Sequence, residues 1–199
     1  GARDLELMGH HHCSISHCPI NIARRARSLD NWKRYRDAGV NISIGSDTYP
    51  RDMMMNMRTA SLMGKIMGHD YYKAPAGQVF EAATLGGARS LGREDLGRLA
   101  PGALADIIIV DFSGKNSLRY GPIMDPIKSL VDCGVGDDVE TVIVNGEICM
   151  ENGKIPGLDL AKLRDDTQKA GDHIWSSVQE WDPCGRTAEE VSPWSFPLM

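Results

Sequence analysis

The residue whose setting most invites chemistry is Asp47, in the stretch GVNISIGSDTYP from Gly39 to Pro50. Val40, Ile42 and Ile44 alternate with Asn41, Ser43 and Gly45, the period-2 pattern of a strand whose two faces differ. The carboxylate therefore stands at a strand's C-terminal end. In α/β barrels that end carries the chemistry, because the loops there converge on a concave face. An aspartate so placed can ligate a metal, serve as a general base or cap the next helix, and the residues alone leave these roles open. His17 ends an earlier strand, CSISHCP. With the two strands in parallel, its imidazole and the Asp47 carboxylate can face one rim; a hydrogen-bonded core histidine is the competing reading.

Two other clusters are set aside. His10, His11 and His12 precede their strand, whereas His17 and Asp47 follow theirs. At ~3.3 Å per residue, His12 and His17 are roughly 16 Å apart, about the height of a barrel. The three histidines are expected in a solvated loop on the opposite face. The cysteines (Cys13, Cys18, Cys133, Cys149, Cys184) are odd in number and never form C-x-x-C, so reduced thiols are expected in place of a disulfide framework or structural zinc site. Cys18 lies near the rim, but Pro19 follows at once and no base accompanies it, which favours a packed thiol over a nucleophile.

Helices and turns must hold these residues in place. Residues 28–38, SLDNWKRYRDA, are expected to be helical, with Leu29, Trp32, Tyr35 and Arg36 near one face and Gly39 at the end. The order strand, helix, strand makes one βαβ unit with a parallel pair. Pro50 suits the first turn of the next helix, where Met53, Met57, Ala60, Met63 or Gly64, and Met67 form a core-packing stripe. Another helix is expected from about Pro75 to Leu91. From Gly97 the texture becomes β: Asp106 to Asp111 reads as a strand, and VETVIVNGEICMENGKI as two strands around a turn at Asn145 and Gly146. Residues 159–181 read as helix, and the tail from Asp182 as an extended segment wrapping over a surface.

With 199 residues, 42% apolar and 25% charged, the chain has the make-up of an ordinary globular protein. A net charge of -5 with scattered Lys and Arg argues against a nucleic-acid partner. No run approaches the ~18 to 20 apolar residues of a membrane span, and residues 1–20 lack a signal peptide's order of segments. No membrane partner and a cytoplasmic location are expected.

The segments ISHCP, GVNISIGSD, AATLGGARSLG, LGRLAPGALADIIIVD and VETVIVNGE, in this order, resemble the C-terminal half of the amidohydrolase superfamily. The branch they resemble is that of the cytosine, guanine and adenosine-type deaminases and the triazine chlorohydrolases, and the resemblance covers residues 13 to about 155. It implies an α/β fold: the C-terminal part of a (β/α)8 TIM-like barrel over residues 1–96 and the returning half of a small β-sandwich over 97–156, while residues 157–199 read, from their own pattern, as a helical tail with an extended C-terminus. It also implies that Asp47 ends the last barrel strand, binds a catalytic divalent metal (zinc, or iron) and exchanges protons with the attacking water. The hydroxide then displaces ammonia or chloride from a ring carbon.

His17 matches the histidine of the HCP motif, which in the family lies near the pocket without being a main metal ligand. The family often continues H-C/N-P-x-S-N, whereas this chain reads HCPINI, with Asn21 one place early and Ile22 where the asparagine is expected. His17 and Asn21 are accordingly assigned to substrate binding. The family's remaining ligands and its proton-shuttling glutamate would lie before Gly1. A whole barrel needs ~250 residues and a catalytic zinc usually keeps three protein ligands, so the chain reads as a fragment.

The resulting expectation is a metal-dependent hydrolase of carbon–nitrogen, or carbon–chlorine, bonds on a small heterocyclic substrate. Two alternatives stand beside it: a two-metal cyclic amidase of the dihydroorotase or hydantoinase type, whose carboxylated lysine would lie upstream, and an inert module that docks to a partner. Homo-oligomerisation or association through exposed barrel edges is expected in addition.

Overall fold

Two short parallel strands carry the candidate site. The structure, a computed structural model, describes residues 1–29, 31–113 and 117–196. Asp30 of the expected 28–38 helix, residues 114–116 of the expected β stretch and residues 197–199 of the tail lie outside the described residues.

Helix α1 (Ala2–His10) opens the chain and leads into β1 (Ser14–His17). Pro19 does more than end that strand: it opens a further helix, α2 (Pro19–Arg24), where its fixed φ suits the first turn. Helix α3 (Trp32–Asp37) is shorter than the expected 28–38, because the Asn31 side chain accepts from the Lys33 amide at 3.0 Å and caps it there. Strand β2 (Asn41–Ile44) then pairs with β1 in parallel, as the βαβ pattern predicts. Ile15 lies opposite Ile42, and His17 opposite Ile44.

Residues in register on parallel strands point to the same side. Ile15, His17, Ile42 and Ile44 therefore share one face, and Ser14, Ser16, Asn41 and Ser43 the other. The isoleucine face belongs to the core, with Trp32, Met54, Met57, Ala60, Val79 and Val131.

Helix α4 (Met53–Gly68) starts after Asp52, not at Pro50, because the Asp52 carboxylate accepts from the Met55 amide at 3.0 Å. Its buried residues include Met54, Met57, Ala60, Ser61 and Gly64, whereas Met53 and Met67 of the expected stripe are exposed. The helix expected from Pro75 to Leu91 is two, α5 (Ala76–Ala83) and α6 (Leu85–Ser90). They break at Thr84, whose hydroxyl donates to the Phe80 carbonyl at 2.8 Å and competes with the helical ladder. Gly86 lets α6 rest directly on β2, since a Cβ there would lie 2.2 Å from the Ile42 carbonyl oxygen. Asn41 fastens the contact by donating to the Gly86 carbonyl at 2.9 Å and the Ser90 hydroxyl at 3.1 Å.

A three-stranded antiparallel sheet follows in the order β3 (Ile107–Val110), β4 (Val139–Val144), β5 (Glu147–Met150), helices α7 and α8 lying between β3 and β4. Asn145 (φ 51°) and Gly146 (φ 83°) make the expected tight turn, whose type needs positive φ at both positions. The rest of 97–156 departs from the expected β texture. Helices α7 (Ser117–Tyr120) and α8 (Pro126–Cys133) interrupt it, α8 capped by Asp125. Leu130 and Val131 of α8 enter the same core as Ile42.

Residues 1–153 form one compact unit and the chain from Lys154 a second. Within the second, the helix expected over 159–181 is two: α9 (Leu160–Ser176), capped by Asp159, and α10 (Val178–Trp181). A short α11 (Ala188–Val191) follows behind a Thr187–Glu190 capping box. Among the described residues no helix is long and apolar enough to cross a membrane.

Candidate functional site

Strand pairing continues just past β2, where the Gly45 amide donates to the His17 carbonyl at 2.9 Å. Asp47 follows with φ 58°, in the left-handed region that aspartate and asparagine enter more readily than most residues. Its side chain is exposed. The cap of α4 is Asp52, four residues before Asn56, whose amide closes the first turn by donating to the Asp52 carbonyl at 3.1 Å. Asp52 also reaches the Gly136 amide with its second oxygen at 2.8 Å. Asp47 is thus spared the ordinary structural duty of an aspartate ahead of a helix.

Two residues of α2 hold the segment that contains it. Asn21, buried, donates from Nδ2 to Oδ2 of Asp47. Oδ1 of Asp47 has no hydrogen-bond partner among the described residues. Arg24, one turn further along α2, donates from Nη1 to the Tyr49 carbonyl at 2.8 Å, and its guanidinium carbon lies 4.6 Å above the centre of the Tyr49 ring. Sequence reasoning missed Arg24 and Tyr49. The available signal was the i, i+3 spacing of Asn21 and Arg24, which shares a helix face once Pro19 is recognised as a helix start.

His17 occupies a different setting. It is 4% exposed, on the isoleucine face, with its ring edge-on to Trp32 at a centroid distance of 5.8 Å and an interplanar angle of 82°. Its Nε2 is buried without a hydrogen-bond partner among the described residues. Burial pushes the imidazole pKa down to about 4, since a charged ring there would lose its hydration. The structure therefore brings Asn21 and Asp47 together and places His17 against Trp32, behind the strand. His10 ends α1, with His11 and His12 in the turn after it; all three are exposed and precede β1, at the end of the strand opposite to His17.

A catalytic zinc usually takes three protein ligands and a water. Asp47 offers one suitable oxygen donor, and among the described residues no three His, Cys, Asp or Glu side chains converge. The described residues do not by themselves complete a metal centre.

Comparison with known proteins assigns the chain to a family: it belongs to the amidohydrolase family, whose model matches residues 2–149. Among curated relatives, the 5-methylthioadenosine/S-adenosylhomocysteine deaminase of Pelotomaculum thermopropionicum is 34% identical over 83% of this chain and 39% of its own length. Among solved structures, a zinc-bound adenosine deaminase from Xanthomonas campestris superposes with a TM-score of 0.82 at 27% identity, covering 87% of this chain and 40% of that one. The zinc-complexed atrazine chlorohydrolase of Arthrobacter aurescens gives a TM-score of 0.74 at 25% identity over 85% and 38%. The chain thus spans about two fifths of the length of the proteins it matches.

Proposed function

We propose that the full-length protein hydrolyses a carbon–nitrogen bond of an amino-bearing nitrogen heterocycle, releasing ammonia, and that Asp47 is this chain's contribution to the reacting centre. The observation that carries the reading is the state of Asp47 itself. It is an exposed carboxylate beyond a strand end, in a left-handed backbone conformation, with Oδ2 tied to Asn21 and Oδ1 without a partner among the described residues. Such backbone outliers cluster at functional sites. A tethered oxygen fixes the direction of the free one, which can then accept and return a proton at a set place.

A divalent metal, zinc in the two solved neighbours above, would lower the pKa of a bound water toward ~7. Asp47 would hold it together with ligands that the described residues do not supply. Asn21 orients Asp47, and His17 supports the strand end from behind. Deamination is favoured over dechlorination because the deaminase relative is the more similar, 34% identical against 25% for the chlorohydrolase.

The test is ammonia release by the full-length protein from 5-methylthioadenosine, adenosine and other aminopurines, with chloride release from a chlorotriazine measured in parallel. Ammonia production that a chelator abolishes and added zinc restores is the expected result. Chloride release alone, or turnover that persists in an Asp47→Asn variant, overturns the proposal.

A further inference from the structure

The geometry points to Tyr49 as the residue on which the substrate's planar ring stacks, with Arg24 as its positioning residue. This rests on the deaminase reading and extends it to ring recognition. Tyr49 lies two residues beyond Asp47, and its ring is 68% exposed. A large aromatic side chain that open is usually incidental; this one is held at two points. Arg24 bonds its carbonyl at 2.8 Å and covers one ring face at 4.6 Å.

The support for Arg24 comes from the element that also supports the carboxylate. Asn21 and Arg24 stand three residues apart on α2, hence on one helix face, and they grip Asp47 and Tyr49, two residues apart on the loop. One short helix therefore fixes a reacting group and an aromatic surface together. With one ring face covered by the guanidinium, the other is left for a ligand.

A pre-positioned ring loses little freedom when a flat partner settles on it, which is the condition under which stacking yields affinity. The ligand class this selects is a planar heteroaromatic ring, such as an aminopurine or aminopyrimidine. A puckered, largely saturated cyclic amide offers less flat π-surface and gains less there.

In the full-length protein, replacing Tyr49 by alanine removes the stack. The KM for an adenine nucleoside then rises roughly 5- to 150-fold, the range seen when base-stacking aromatics are truncated, while kcat changes little. Tyr49→Phe keeps the ring and recovers most of the affinity. Arg24→Ala raises KM by less than Tyr49→Ala, and Arg24→Lys, which keeps the charge without the planar fork, falls between wild type and Arg24→Ala.

Calorimetric binding of adenosine to wild type and Tyr49→Ala, which needs no turnover, separates the two claims. Adenosine binding that is lost in Tyr49→Ala, in a protein that releases no ammonia, keeps the stacking role and removes the deaminase reading. Ammonia release with an unaltered KM in Tyr49→Ala, a Tyr49→Phe variant as impaired as the alanine, or no adenosine binding by the wild type overturns the stacking role.

Discussion

Asp47 and His17 close the ends of neighbouring parallel strands, yet they meet opposite physical conditions. Past β2 the chain turns outward, and Asp47 keeps an exposed carboxylate tethered by Asn21. At the end of β1, His17 is sealed against Trp32, and its Nε2 has no hydrogen-bond partner among the described residues. The difference teaches that a shared strand end does not mean a shared environment. The pleat assigns His17 to the face of Ile15, and only the residues beyond the last pairing are free to leave that face.

The comparison breaks first at Asp47. In the full-length protein, Asp47→Asn should lower the rate of ammonia release by about 10² to 10⁴, the usual contribution of a positioned proton carrier. Its thermal stability should stay near wild type, because exposed substitutions seldom shift stability by more than about 0.5 kcal/mol. A retained rate, or a large fall in melting temperature, would erase the distinction between rim and core.

The second test is acid. His17 titrates near 4 when folded, against 6.5 when free. Its contribution to stability is therefore complete above pH 6.5 and is lost as the pH falls toward 4, because in that window the unfolded chain binds a proton that the folded chain refuses. The loss should reach about 3 kcal/mol. Urea titrations at pH 7 and pH 4 measure it, and His17→Leu should remove that part of the slope. An unchanged slope in the leucine variant would mean that the imidazole is hydrated after all.

Third and smallest is Asn21→Ala, which frees Oδ2 of Asp47 without touching the carboxylate. Partners that orient a ligating or reacting group typically contribute about 10- to 100-fold, and the loss should appear in kcat/KM of the full-length protein. If Asn21→Ala behaves as wild type, the bond to Asp47 is incidental.

Legibility in the sequence followed the directness of the local signal. Alternating isoleucines announced β2, and Asn145 with Gly146 announced the β4–β5 turn, because both patterns are set by neighbours in the chain. Pro19 and the pair Asp125-Pro126 carry equally local signals, a proline in the first turn and an aspartate cap before it, yet they mark helices that the strand-centred reading passed over. The middle of the α4 stripe, Met57, Ala60 and Gly64, is buried as the spacing predicts, and only its ends, Met53 and Met67, are exposed.

The pairing of Asn21 with Asp47 could not be read directly. It spans 26 positions and depends on α2 existing. The side to which His17 points was readable, since Ile15 is two residues before it and period-2 parity holds within a strand.

At the other end of the sheet, the backbone of α6 touches that of β2 at Gly86 with no side chain between them. Nothing there can yield. A single methyl group would have to lift the helix or push the strand, and a rigid strand hands any such push along to the loop that bears the carboxylate. The floor of the molecule is thereby set by bare contact between peptide groups.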